Sequence, residues 1–146
     1  NTAGRLEGAE ISALVDASLQ AGITRVDTAR GYGDAEARLR PFSRDFQITT
    51  KISGGDDAGD QVSASLADLG VQLLDTVLIH DWDSVDDASR MAAVRGLGRL
   101  LDDGVASRVG VSVYDSAGLD IAVEMFDAAG VPLQEVQVTV LEMLYS

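Results

Sequence analysis

The chain has 146 residues, with 11 Lys and Arg against 24 Asp and Glu, a formal net charge of −13, 46% hydrophobic residues and no Cys. That length supplies one hydrophobic core rather than two domains, and so acidic a surface repels phosphate backbones and anionic lipid, so no nucleic acid or membrane partner is expected. No apolar run approaches the roughly 20 residues of a spanning helix, and the lack of Cys excludes disulfides and thiolate metal sites, which fits a cytoplasmic protein.

One cadence organises the chain: an amphipathic helix, a glycine, an Ile or Val, then a short β-branched run. The chain begins at Asn1 rather than Met, so that terminus is expected to be processed, trimmed or internal. Ile11, Leu14, Val15 and Leu19 share one helical face that leads to Gly22-Ile23. A strand is expected at residues 25–28, and then a short helix over residues 34–40, stopped near Pro41. The second strand spans residues 47–51. The loop at residues 53–60 follows, with Asp60 expected to cap a helix whose Val62, Leu66 and Leu69 form its apolar face up to Gly70-Val71. After a strand at residues 76–80, Ser84 and Asp87 fit a capping box. The helix they open carries Met91, Val94, Leu97 and Leu101 on one face and ends at Gly104-Val105. A strand at residues 108–112, a helix with Leu119, Ala122, Val123 and Phe126 on one face, Gly130-Val131 and a strand at residues 135–139 complete the pattern. Glycine enters the left-handed conformation just past a helix without steric cost, which explains its place in the cadence.

The strands are short and mostly continuous in apolar character, as strands covered on both faces are, and strand alternates with helix. A parallel sheet with right-handed crossovers follows. Two architectures share this alternation, the open doubly wound sheet and the (β/α)8 barrel. A dinucleotide fingerprint would favour the first, but its one near match, Gly31-Tyr32-Gly33-Asp34-Ala35-Glu36, has Glu36 where a glycine is required.

The strand ends are informative. Asp27, Lys51, the chain's only histidine His80, and Ser112 each follow an apolar run. Parallel βα folds gather their active sites at the carboxyl ends of the strands. Singly, each residue has a plain structural explanation: a turn cap, a solvated amine, a packed histidine. Jointly they place an acid, a base, an imidazole and a hydroxyl on one rim. Tyr32 lies in a glycine-flanked loop five residues past Asp27. A phenol titrates near ~10, so proton transfer at neutral pH needs something that stabilises the phenolate. A buried ammonium held by a carboxylate does this, and His80 is placed to donate to a substrate oxygen.

These residues carry a family resemblance. The stretch Gly22-Ile-Thr-Arg-Val-Asp-Thr-Ala-Arg-Gly-Tyr-Gly33 resembles the aldo-keto reductase segment with Asp and Tyr five apart. Thr50-Lys51, Ser65-Leu-Ala-Asp-Leu-Gly70, Leu73-Leu-Asp-Thr-Val-Leu-Ile-His80, Gly104-Val-Ala-Ser-Arg-Val-Gly-Val-Ser112 and Val136-Gln137 continue it in order. The resemblance implies a (β/α)8 TIM-barrel type fold and NADPH-dependent reduction of small-molecule carbonyls. Tyr32 would be the proton donor, Lys51 and Asp27 its tuning partners, and His80 the residue orienting the carbonyl. Ser112 and Gln137 would hold the nicotinamide carboxamide.

Three departures stand beside the resemblance. Val113 occupies a position where many relatives have Asn, and the match frays after Gln137. A full barrel takes about 250 residues and eight strands, whereas five strands are legible here. Residues 1–146 are therefore expected to form a single partial barrel domain, lacking the first strand and the last two βα units. Five strands cut from a barrel leave open edges and exposed apolar surface. Either the chain is a piece of a larger protein or, if natural as given, it closes its core as a homo-oligomer, a homodimer being the economical case. Two rival functions remain: non-redox acid/base chemistry by the same residues without cofactor, and a non-catalytic interaction subunit. Trp82, two residues past His80, is expected to line a substrate pocket. The run Asp81, Asp83, Asp86, Asp87 lacks the glycine and terminal glutamate of a Ca²⁺ loop, so no metal site is expected.

Overall fold

The computed structural model describes residues 6–139. Helix α1 (Gly8–Gln20) leads to strand β1 (Arg25–Asp27), and α2 (Ala35–Leu39) to β2 (Gln47–Ile52). Then come α3 (Ala58–Leu69), β3 (Leu74–Ile79), α4 (Asp87–Asp102), β4 (Ala106–Val113), α5 (Ser116–Ala129) and β5 (Glu135–Val138). The five strands lie in sequence order in one sheet, with every neighbouring pair parallel. They curl into a half-barrel with the helices along it. The expected truncated (β/α)8 architecture is thus the observed one.

The glycines of the cadence explain the helix stops. Gly70 and Gly130 are left-handed C-caps, and Gly22 and Gly104 follow their caps by one residue at φ of 81° and 70°. Gly110 has a different role. A Cβ there would fall 1.7 Å from the Glu135 carbonyl oxygen, so the bare backbone of β4 is what lets β5 pair with it.

The core lies between sheet and helices, where Ile48, Ile52, Val77, Ile79, Val109 and Val111 meet Val62, Leu69, Val94, Leu97 and Phe126, all buried. Burying each such side chain contributes about 1.5–3 kcal/mol. Several expectations are corrected here. In α1 only Val15 is buried, while Leu14 and Leu19 face solvent. Val123 of α5 is also exposed, while Leu119, Ala122 and Phe126 of the expected face pack into the core. The helix expected to stop near Pro41 does so, α2 ending at Leu39 with Arg40 as its C-cap, and the chain continues as a 3₁₀ turn at Arg40–Asp45 that takes the proline in its first turn, where no N–H is needed. Asp60 lies within the first turn of α3, whose N-cap is Asp57. Asp86, not Ser84, caps α4, accepting from Ser89 N. The final segment noted as fraying lies, from residue 140 on, outside the described residues. No helix among the described residues is long and apolar enough to cross a membrane.

Candidate active site

Parallel pairing brings the carboxyl ends of all five strands to one rim. Asp27 closes β1, Lys51 stands one residue before the end of β2, and His80 directly follows β3. Ser112 of β4 is the register partner of Gln137 on β5. Lys51 is only 2% exposed, so its ammonium requires dedicated partners; an unpaired buried charge costs several kcal/mol. It donates to both Asp27 carboxylate oxygens, at 2.7 and 2.8 Å, and to the Thr28 carbonyl at 3.1 Å. All three of its protons are thereby matched. Asp27 is half-exposed, and its Oδ2 also accepts from Gln137 Nε2 at 3.2 Å, a contact from the opposite edge strand. The Thr28 hydroxyl is buried with no partner among the described residues.

Tyr32 sits in the loop between β1 and α2, flanked by Gly31 and by Gly33 at φ 64°. Lys51 Nζ lies 5.2 Å from the centre of the phenol ring. The Tyr32 and His80 rings meet edge to face, centroids 5.5 Å apart at 85°. Gly31 packs beside the imidazole, a Cβ built there lying 3.7 Å from His80 Nδ1, an ordinary contact distance. Tyr32 remains 48% exposed, within reach of a molecule arriving from solvent. The structure thus brings together Asp27, Lys51, Tyr32, His80 and Gln137, with Ser112 alongside. A phenol between a held ammonium and an imidazole, at an open mouth, is an arrangement for proton transfer to a developing oxyanion.

Trp82 is placed elsewhere. It is fully buried, its Nε1 donates to the Gly118 carbonyl at 2.9 Å, and its ring packs against Phe126 with the Arg90 guanidinium over it. The expected substrate-lining role is corrected to a core role, because α5 closes over the indole. The acidic run likewise has its own partners. Asp81 accepts from Gly54 N, Asp83 from Tyr114 N, Asp86 from Ser89 N, and Asp87 from Arg90. Asp81 and Asp83 stitch neighbouring βα loops together beside His80. No metal-ligating cluster occurs among the described residues.

Sequence reasoning missed a second polar network behind the tyrosine loop. Glu36, buried in α2, accepts from Thr50 Oγ1 at 2.6 Å, Ser65 Oγ at 2.8 Å and Arg30 Nη1 at 2.5 Å. Arg30 also donates to Asp68 at 2.6 Å, and the hydrogen bonds to Asp68 and then Glu36 raise the guanidinium above its ordinary value. The available signal was one acid set between alanines in a short helix. In the sequence it stood out only as a misfit in a glycine fingerprint.

The aldo/keto reductase family model matches residues 1–144. An aldo-keto reductase of Mycobacterium sp. (strain MCS) is 31% identical over 132 residues, covering 84% of this chain and 46% of that protein. One from Mycolicibacterium vanbaalenii is 33% identical over 128 residues, covering 80% of this chain and 45% of the relative. The crystal structure of an aldo/keto reductase from Brucella melitensis superposes with a TM-score of 0.76 at 26% identity, over 92% of this chain and 55% of that one. The chain therefore spans about half the length of the relatives it matches.

Proposed function

Because the chain belongs to the aldo/keto reductase family, we propose that it takes part in NADPH-dependent reduction of a small-molecule aldehyde or ketone, with Tyr32 as proton donor. The observation that carries this reading is the Lys51 ammonium, held by Asp27 and lying 5.2 Å from the Tyr32 ring. In this reading His80 donates a hydrogen bond to the substrate carbonyl and holds it near the phenol, which its edge-to-face contact with Tyr32 supports. As the carbonyl oxygen gains negative charge, the Tyr32 hydroxyl delivers its proton there, and Lys51 stabilises the phenolate left behind. Asp27 keeps the ammonium in place against its desolvation.

The residues present fit the nicotinamide end of the cofactor. Ser112 and Gln137, paired in register, offer a hydroxyl and a carboxamide, the donor and acceptor set that an amide requires. When bound, NADPH supplies the hydride that goes to the carbonyl carbon. Ser112 and Gln137 would hold its carboxamide. Residues 1–146 are read as one partial barrel domain, short of the first strand and the last two βα units. The exposed Val136 and Val138 on edge strand β5 support a covering partner. Intact mass of the native protein and its sedimentation separate a longer chain from a homo-oligomer.

Tyr32→Phe tests the reading. It is expected to lower turnover about 10²–10⁴-fold and to leave the unfolding curve unchanged, since the ring is half-exposed. Near-normal turnover would remove the proton donor. NADPH titration, followed by quenching of the single tryptophan, is expected to saturate. Product formed without any nicotinamide would favour the non-redox alternative instead.

A further inference from the structure

We infer that Glu36 is a positioning residue for the proton donor: its buried carboxylate holds the glycine-flanked Tyr32 loop against strand β2, so that the phenol stays beside Lys51. The inference rests on the proposed reductase reading only in taking Tyr32 as the donor. The backbone hydrogen bonds of Tyr32 itself are local, from its N to the Ala29 carbonyl and from Ala35 N to its own carbonyl. With glycines on both sides, nothing in the loop's own turn fixes where the ring points. Beside the Arg30 contact with Asp68, two ties fasten it to strand β2. Arg30 N donates to the Lys51 carbonyl at 3.0 Å. The Glu36 carboxylate gathers Arg30 from before the tyrosine, Thr50 from the residue preceding Lys51, and Ser65 from α3. Residues 30 and 36 bracket Tyr32, and the carboxylate clamps both to the strand that carries the ammonium.

The donor set shows what kind of group the site demands. Two hydroxyls point at Oε1 and a guanidinium at Oε2, which suits an acceptor-only carboxylate. Glu36 is 2% exposed, so water cannot substitute for a lost partner. An amide in its place keeps these partners only by turning both hydroxyls round to accept from its NH₂, and it gives up the charge that pairs with Arg30. A group with only a structural role would cost stability when changed and leave the mutual placement of the Tyr32 and His80 rings alone.

That distinction is measurable because His80 is the chain's only histidine. Its imidazole proton resonance is a single-site reporter of the edge-to-face Tyr32 ring, and Tyr32→Leu supplies the position of the signal without that ring. Glu36→Gln is expected to move the His80 resonance toward the Tyr32→Leu position. In the reductase assay it is expected to lower kcat about 10- to 100-fold with little change in KM. Arg30→Gln, altering the partly exposed end of the network, is expected to move both readouts the same way by less, and serves if Glu36→Gln does not fold. A folded Glu36→Gln or Arg30→Gln protein with an unmoved His80 signal and unchanged kcat overturns the inference. A moved His80 signal with full activity in Tyr32→Phe sustains the positioning role and sinks the reductase reading instead.

Discussion

The two ends of the sheet are both charged, and they use charge in opposite ways. At the amino end, Asp75 Oδ2 accepts from Arg25 at 3.1 Å and from Arg108 at 2.6 Å, and Arg108 lies 3.7 Å from Glu135. This is two cations against two anions, with each group matched. At the carboxyl end, a single buried ammonium is saturated by one carboxylate and one carbonyl, while the phenol and imidazole beside it stay available to an incoming molecule. Complete pairing leaves groups with nothing further to give. Among the described residues the pairing stops short of the Tyr32 and His80 side chains, and the proposed chemistry is assigned to that rim for this reason.

The sharpest way to break this contrast is Lys51→Met, which keeps the apolar stem and removes the charge. Turnover is expected to fall about 10²–10³-fold, with little loss of stability because half-exposed Asp27 rehydrates. Denaturation curves and steady-state rates read the two effects separately. A stability loss without a rate loss would favour the non-catalytic alternative.

Asp75→Asn is the matching change at the amino end and is expected to do the reverse. Burial pushes the Asp75 carboxyl upward, but the Arg108 hydrogen bond, the Thr76 hydroxyl and the charges of Arg108 and Arg25 outweigh it and hold it below its ordinary 3.8. A carboxyl depressed in the folded state stabilises the protein fully above its unfolded value. That stabilisation is lost as pH falls through the folded value. The variant is therefore expected to lose about 1–2 kcal/mol near neutral pH and to show a flatter decline below ~4, with kcat unchanged. Urea midpoints across that range check it. Arg25→Gln is expected to have the smallest effect, about 0–1 kcal/mol, because its pair with Asp75 is half in solvent. A larger cost would show the amino-end cluster to be more tightly coupled than its exposure implies.

Local chemistry made much of this molecule readable before any coordinates. Glycine stops, helical faces and β-branched runs depend on neighbours a few residues away, so the order of elements and the parallel sheet follow from them. The convergence of Asp27, Lys51, His80 and Ser112 also follows, because parallel strands put every carboxyl end on one side. The caps of α3 and α4 were misread, because several acids and hydroxyls stand near the start of each helix. Tertiary structure alone decided the rest. Whether Trp82 meets substrate or core depends on α5, 36 residues away at Gly118. The Glu36 clamp joins α2, β2 and α3, and the pairing of Asp75 with Arg25 and Arg108 spans three strands. Periodicity records which way a side chain faces along its own element; what it meets is set by register and packing between elements, which no local pattern encodes.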